Sequence, residues 1–475
     1  MVFQINNRIT TLFIISFLLV SIAGTVKAQQ SSPATLTLEE SIATALSNNL
    51  SVKSAEEKVK VAEQKINEAR ASMMPSISGS GSYTYMGKLP QMQIDFSKIL
   101  GGMTPGGATN PQGAPPASST GGAGASSLSL GQKDNYNVGI SAQQPLFTWG
   151  KIYNAYSLAK ISYEAEKQGL ESVKQQVIFD TTKAFYGVLL TDKLVKVTQM
   201  AVDQVQAHLK TAQDLVDAGM ATNFDLLRAK VQLANIKSQL IKMQNLYKLS
   251  KDGFKNTVGM NLNTDFTLKG EFTYKPVEID LDKLLELATK NRPEIKQLEL
   301  QEKIGEKAVS LTKAGNKPNL ALAYNYSYTS NADTLDKVFT RDEWKNTWSV
   351  TMALSVPIFD GLATRARVKQ AKGAVEQIKI GKEQLLNGIG LEIRAAYLSF
   401  VEAKDLLNVQ EETVQQAQES LRIANLRYKN GLITNVELTD TELAFTQAQT
   451  NYSNALNDYI IALAKLEKAT ASKLN

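Results

Sequence analysis

The amino-acid sequence contains an internal duplication, and this feature limits the possible folds more than any other. Residues 45–75 align with residues 288–318 at a spacing of 243 positions, and residues 145–226 align with residues 357–438 at a spacing of 212. The difference of 31 predicts one insertion in the first copy, which residues 87–134 match with 10 Gly and 5 Pro among 48 residues. The chain is therefore expected to fold as two similar halves, the first of which carries a long, flexible loop.

Each half predicts the same order of elements. Helical segments over 36–71 and 281–314 are rich in Ala, Glu, Lys and Leu, and each stops at a proline. Strand-like segments follow at about 75–86, 135–147, 319–329 and 347–359. Apolar and tyrosine side chains alternate in them with Ser, Thr, Asn and Ala, so that one face is apolar and the other is polar.

Very long helices come next in each half, over 150–218 and 363–430. Neither contains proline, and both place an apolar residue at every seventh position, a period typical of left-handed coiled coils. Gly219 and Gly431 end these helices, and further heptad helices begin at once after each glycine. A helix of 69 residues is about 100 Å long, which equals the two shorter helices of its half placed end to end.

The four strands are long enough to cross a membrane but too few to close a barrel. Open sheet edges are not tolerated in lipid, so closure must come from several chains, and three copies would supply twelve strands. The apolar faces would then contact lipid and the polar faces water. The alternative is a soluble β-sandwich with one wet face, which fits helices of about 100 Å poorly.

The first residues predict export. Arg8 precedes an apolar run over 12–23, and Val26 and Ala28 supply the small or medium side chains of a cleavage site. We interpret residues 1–28 as a secretory signal peptide rather than an anchor, because this run is well short of the roughly 20 residues that a spanning helix needs. The rest divides into a first repeat (29–259), a linker (260–280) and a second repeat (281–475).

Composition argues against catalysis and against nucleic acid as a partner. The chain has no cysteine and one histidine, which excludes disulfide frameworks, cysteine-ligated zinc and cysteine nucleophiles. The net charge of +6 is small for 475 residues, and no basic block stands out. His208 is alone on a long helix and is interpreted as a surface or packing residue. We therefore expect neither enzyme activity nor a cofactor or metal site.

The second glycine turn carries the residues that point to a family. Residues Arg427 to Asp440 read RYKNGLITNVELTD, and with the duplication over 36–472 they resemble the TolC-like outer-membrane channel components of efflux pumps and type I secretion systems. The resemblance implies a mainly helical fold with membrane strands, in which a homotrimer forms a 12-stranded β-barrel continued by a 12-helix coiled-coil tunnel in the periplasm. It implies a passive exit duct in contact with outer-membrane lipid, a periplasmic adaptor protein and an inner-membrane transporter.

The resemblance also assigns roles to residues at the two glycine turns. Adaptor hairpins would dock at the turns, and the residues in those places are Gly219, Met220, Gly431 and Leu432. Asp225 and Tyr428 occupy the places of a hydrogen bond that closes the tunnel in this family. The best-known member has an arginine where this chain has Ile433, so part of that closing network is missing.

Two acidic residues follow the second turn. Glu437 and Asp440 are three residues apart and share one helix face, where the family carries an acidic ring that selects cations. The residues alone leave another interpretation open, because an acidic first turn also complements the positive N-terminus of a helix.

A secreted coiled-coil structural protein or adhesin is the competing interpretation of the whole chain. It would explain the heptads but not four strands of membrane-spanning length beside prolines. A requirement for detergent separates the two.

Overall fold

The computed structural model describes residues 34–89, 91–94, 126–129, 133–270, 272, 274, 276–330 and 344–474. The predicted signal peptide, residues 1–28, lies outside these ranges, as does most of the predicted loop over 87–134.

Helices and strands follow the predicted order in both halves. The first half contains β1 (Ala34–Leu36), α1 (Leu38–Asn48), α2 (Leu50–Ala71), β2 (Ser76–Tyr85), β3 (Gln91–Ile94), β4 (Ser126–Ser129), β5 (Asp134–Phe147), α3 (Lys151–Asp217) and α4 (Asn223–Val258). The second contains β6 (Phe266–Leu268), α5 (Leu281–Asn291), α6 (Pro293–Lys313), β7 (Asn319–Ser330), β8 (Trp344–Ser355), α7 (Ala363–Lys429) and α8 (Asn435–Thr470). Equivalent helices begin 243 or 212 positions apart, which confirms the duplicated α-β-α order.

The helix predicted to run unbroken at the start of each half is interrupted. Asn49 separates α1 from α2 with an extended backbone (φ −61°, ψ 130°), and its Oδ1 accepts a hydrogen bond from Ser51 N at 2.8 Å. Its Nδ2 donates to Thr257 O at 2.8 Å, which joins the break to the end of α4. In the second half the break lies at Arg292, because a residue before proline, here Pro293, is disfavoured in the helical conformation.

Four strands form one antiparallel sheet in the order β2-β5-β7-β8, so that the two halves of the chain join at β5 and β7. The two strands of the first half, β2 and β5, pair in the same register as the two strands of the second half, β7 and β8. Residues of β2 correspond to residues of β7 243 positions later, and residues of β5 to residues of β8 212 positions later. Ser76 pairs with Gln143 in the first half, and Asn319 pairs with Ser355 in the second. The outer edges of the sheet are β2 and β8.

The two faces of this sheet differ in the way that the sequence predicts. On one face apolar and aromatic side chains lie opposite each other, as Ile140 does with Tyr326 and Tyr326 with Trp348. On the other face the side-chain oxygens of Ser78 and Ser141 are hydrogen-bonded at 2.8 Å. Most of the apolar face is exposed, and an apolar surface of this extent marks contact with lipid or with another protein.

The fourth strand differs from its predicted position over 347–359. It begins earlier and ends earlier, at Trp344 and Ser355. Residues 356–359 fall outside the strand because β7 bonds β8 only as far as Ser355, whereas the equivalent end of β5 is bonded to β7 as far as Phe147.

Two short strand pairs were not predicted. β6 lies in the segment predicted as a linker, 260–280, and pairs in parallel with β1. β3 and β4 pair antiparallel inside the predicted loop. Strands of three or four residues are too short to show a period in the sequence.

Each long helix packs against the shorter helices of its half. In the first half the buried side chains of Val52, Phe185 and Phe254 join α2, α3 and α4 in one apolar cluster. In the second half Phe400 on α7 and Tyr459 on α8 stack with 5.2 Å between ring centroids. Among the described residues, no helix combines the length and the apolar character needed to cross a membrane.

Gly259 tests how closely the end of α4 packs against the end of α1. Its φ is +75°, and a Cβ there would lie 2.8 Å from the backbone of Asn48, so Gly259→Ala combines strain with a clash. We expect it to destabilise the protein by about 2 kcal/mol and to lower the melting temperature. The control is Gly253→Ala inside α4, where a Cβ meets nothing within 4 Å and should raise stability. Equal melting temperatures for the two variants would contradict this packing.

Candidate functional site at the two glycine turns

Both long helices end in the same turn. Gly219 and Gly431 have φ of +72° and +67°, a conformation that other residues adopt only with strain. The amide of the next residue reaches back to the helix in each turn: Met220 N donates to Leu215 O at 2.8 Å, and Leu432 N donates to Arg427 O at 2.9 Å. This is the Schellman arrangement, so the glycines are required by the turn itself.

A capping box starts the helix that follows each turn. Thr222 and Asp225 exchange hydrogen bonds at the start of α4, and Thr434 and Glu437 do so at the start of α8. The Glu437 carboxylate accepts from the Thr434 N–H at 2.7 Å and from its hydroxyl at 2.9 Å. These bonds favour the charged form and hold the pKa of Glu437 below its ordinary value. The carboxylate is therefore fixed in position as well as charged.

One buried asparagine joins the two turns. Asn435 Nδ2 donates to the carbonyl oxygen of Asp225 at 2.8 Å, and Asn435 Oδ1 accepts from the Thr439 hydroxyl at 3.2 Å. The side chain of Met220 also reaches across, since its Cε lies 3.8 Å from the position of a Cβ on Gly431. The start of α8 is thus hydrogen-bonded to the start of α4, although 210 residues separate them.

The structure brings the residues singled out for docking to one end of the helical body. Gly219 and Gly431 are exposed there, and the adjoining Met220 and Leu432 have 66% and 65% of their surface exposed. Exposed apolar side chains on two neighbouring turns form a surface that a protein partner can cover. Asp440 is exposed one turn farther along α8.

Asp225 and Tyr428 do not form the hydrogen bond that the resemblance implies. The Asp225 carboxylate caps its own helix through Thr222. The Tyr428 hydroxyl is buried and has no hydrogen-bond partner among the described residues. Burial, with the negative charges of Asp225 and Glu442 nearby, raises the pKa of Tyr428.

Tyr428 packs instead against a buried pair that sequence reasoning missed. His208 Nδ1 lies 3.3 Å from Glu442 Oε2, and both side chains are buried between α3 and α8. The His208 and Tyr428 rings meet edge to face with 5.1 Å between centroids. His208 is therefore a packing residue, one of the two interpretations that the sequence left open. The available signal was Glu442 itself, an acid one helical turn after the core residue Leu438.

Across the ranges that the structure describes, no three His, Asp or Glu side chains gather in a way that could hold a metal ion.

The sequence profile of one protein family matches this chain twice. The matched residues are 41–259 and 284–472, one range for each repeat, and the family is the outer membrane efflux protein family. The chain belongs to this family. Its two repeats are two copies of the same family unit.

Relatives and solved structures agree with this assignment. The outer membrane protein TolC of Vibrio cholerae is 21% identical over 339 residues, 71% of this chain and 77% of that one. The alkaline protease secretion protein AprF of Pseudomonas aeruginosa is 23% identical over 338 residues, 70% of this chain and 69% of that one. The crystal structure of the CmeC outer membrane channel of Campylobacter jejuni matches with a TM-score of 0.71 at 16% identity, over 91% of this chain and 85% of that one. The chain thus has the fold of these channels.

The buried pair is testable by comparing single and double replacements. We expect His208→Ala to destabilise the packing of α3 on α8 by about 1–3 kcal/mol, because the buried Glu442 carboxyl group loses its hydrogen-bond partner. Replacing both residues, His208→Leu with Glu442→Met, leaves no buried polar group without a partner at this contact and should cost much less. Amide hydrogen exchange in the two helices measures both effects. A double variant as unstable as His208→Ala would contradict this account.

Proposed function

We propose that this chain is a passive exit duct of the bacterial outer membrane for substrates that an inner-membrane transporter delivers through a periplasmic adaptor. The names of its relatives support this, since one is an outer membrane protein and another serves secretion of an alkaline protease. The observation that carries the proposal is the four-stranded sheet, with its exposed apolar face and its two open edges, at one end of helices about 100 Å long.

The open edges of the sheet favour a homotrimer. Three copies of a four-stranded sheet supply twelve strands, an even number within the range of outer-membrane barrels. The helices are also consistent with three copies. In each half two shorter helices, such as α4 and α2, stack end to end beside the long helix, so that each half has two helical columns. Six halves then surround a tunnel with twelve columns.

The exposed apolar residues of the glycine turns are the proposed contact for the adaptor. Met220 and Leu432 extend from rigid turns, at the end of the helical body opposite the sheet. Gly219 and Gly431 hold these side chains in place through the backbone, so docking and capping need the same glycines.

Glu437 and Asp440 are the proposed acidic ring. Both are exposed at the start of α8, and three copies would bring six carboxylates to the narrow end of the tunnel. The capping bonds of Glu437 do not compete with this role, because they hold the carboxylate in its charged form. A focused negative potential favours cations.

For the gate we propose a contact different from the one that the resemblance implies. The bond from Asn435 to the Asp225 carbonyl holds the two turns together, while Tyr428 supports it from the buried side by packing on His208. Asp225 acts through its backbone and its cap rather than through a bond to Tyr428.

Planar bilayer recording tests the duct and the acidic ring together. Glu437→Gln with Asp440→Asn removes the charges, and glutamine at position 437 can still complete the capping box. We expect a conducting trimer whose preference for cations falls, seen as a reversal potential moved toward zero in a salt gradient. An unchanged reversal potential would contradict the acidic ring of Glu437 and Asp440. If the native protein did not conduct at all, the proposed exit duct would be contradicted.

Replacing the exposed apolar residues of the glycine turns by charged ones tests whether the adaptor docks there. We expect Met220→Glu with Leu432→Glu to reduce dye efflux toward the level of a deletion strain, since losing an apolar anchor typically costs a contact about 2 kcal/mol. The amount of protein in the outer membrane should not change. Met200→Glu is the control, because Met200 is exposed on α3 away from the turns and its equivalent in α7 is already Glu412. Full efflux by the double variant would contradict docking at these residues.

A further inference from the structure

Basic residues gather where the helices meet the four-stranded sheet. Four segments join the two parts: 65–75 leads from α2 to β2, 148–157 from β5 to α3, 307–318 from α6 to β7, and 356–369 from β8 to α7. Together they contain nine Lys or Arg residues and two acids, a surplus that exceeds the net charge of +6 of the whole chain. We call these nine residues the basic collar. Since four segments supply them, no single stretch of sequence shows them as a block.

The other end of the molecule has no such surplus. Residues 208–230 and 420–442, which surround the two glycine turns, contain six acids and six Lys or Arg residues. The positive charge is therefore concentrated at the end of the helical body that adjoins the sheet. It does not follow from the composition of the chain as a whole.

The collar lies at the border of the apolar face of the sheet. Phe147 at the end of β5 lies opposite Leu320 on that face, and Trp149 packs edge to face on Phe147 with 5.3 Å between ring centroids. Lys317 Nζ lies 5.9 Å from the ring centroid of Trp149. Trp149 is half exposed, and tryptophan is enriched at the boundary between membrane and water. A charge of the collar thus lies next to the surface proposed to contact lipid.

The collar residues of α7 have no acidic partner on the protein. Arg365, Arg367 and Lys369 are exposed in the first two turns of α7, and none of them forms an ion pair within the described part of the chain. Farther along the same helix, Lys379 and Lys382 pair with acids of α6, with N···O distances of 3.9 and 3.1 Å. The charges beside the sheet are therefore left for a partner of opposite sign.

The internal duplication shows that the fold does not need these charges. The residues 212 positions earlier, at the start of α3, are Tyr153, Ala155 and Ser157, all of them uncharged. The two helices are nevertheless equally long, with 67 residues each. The charges of α7 therefore serve a contact outside the helical fold.

We propose that the basic collar binds the anionic headgroups of phospholipids in the leaflet of the outer membrane that faces the periplasm. The proposal rests on the proposed function, because it takes the sheet to be inserted in that membrane. The helical body leaves the sheet on the same side as the collar, so the headgroups within reach belong to the periplasmic leaflet. Lys and Arg side chains extend toward a headgroup layer, and each one near an anionic surface strengthens the attraction.

Distance limits the contact to lipid beside the sheet. The collar covers about two helical turns, which is about 10 Å along the helix axis. Attraction between exposed charges acts over about 8 Å at physiological salt. The collar therefore reaches headgroups only where the apolar face ends, and this contact fixes how deeply the sheet lies in the bilayer.

Spin-labelled lipids measure the proposed preference. The native protein is reconstituted in phosphatidylcholine vesicles that contain spin-labelled phosphatidylglycerol or spin-labelled phosphatidylcholine. Electron spin resonance then gives the fraction of each labelled lipid that the protein immobilises. We expect phosphatidylglycerol to be preferred about threefold or more, and the preference to disappear in about 1 M salt, where the screening length falls to about 3 Å.

Two variants of α7 test whether the charge of the collar is the cause. Arg365→Gln with Arg367→Gln and Lys369→Gln removes three charges and should at least halve the preference for phosphatidylglycerol. Arg365→Lys with Arg367→Lys and Lys369→Arg keeps the charge and should keep the preference. Immobilised phosphatidylcholine should be the same in both variants as in the native protein, which verifies that they are folded and inserted.

The matched control removes three exposed bases from α4. The control substitutions are Lys237→Gln, Lys242→Gln and Lys248→Gln. The 22 residues of α2, about 33 Å of helix, separate α4 from the sheet, so the native preference should remain.

Four results would overturn the collar. They are equal immobilisation of the two lipids by the native protein, an unchanged preference in the glutamine variant of α7, an equal loss in the α4 control, and a loss in the variant that keeps the charge. If the native protein immobilised neither lipid, the proposed function would be contradicted instead, because the sheet would not lie in the membrane.

Discussion

Backbone hydrogen bonding at the two edges of the four-stranded sheet governs much of this structure. β2 and β8 each present a row of N–H and C=O groups along their outer side, and each such group left unpaired in hydrocarbon costs several kcal/mol. Four strands cannot curl far enough to satisfy both edges within one chain. The number of copies that closes the sheet also fixes the number of helices beneath it, so the width of the tunnel follows from the strand count.

Capping and electrostatics use the same atoms at the glycine turns. Asp225 and Glu437 are equivalent residues of the two repeats, and each ties its carboxylate to a threonine at the start of its helix. An exposed acid would otherwise sample many rotamers, whereas these are held by two or more hydrogen bonds. The choice between a helix cap and an acidic ring is therefore not exclusive, since the cap fixes where the charge of Glu437 lies.

Much of this fold follows from the sequence because its strongest signals are long: a duplication, a heptad period and helices of 67 residues. The breaks at Asn49 and Arg292 are hard to predict, because one extended residue hardly disturbs the helical period of the sequence. Only the second break has a local signal, which is Pro293. The glycine turns are visible in sequence because their geometry is local. The contact of His208 with Glu442 spans 234 residues, and only the packing of α3 on α8 creates it.

In the proposed trimer, the buried pair of His208 and Glu442 makes the junction inside a chain unlike the junction between chains. The equivalent residues are Ser420 and Lys230, a small hydroxyl and a cation that can remain hydrated. The proposed trimer would therefore contain two kinds of junction, three inside the chains with a buried pair and three between the chains with Ser420 and Lys230 in its place.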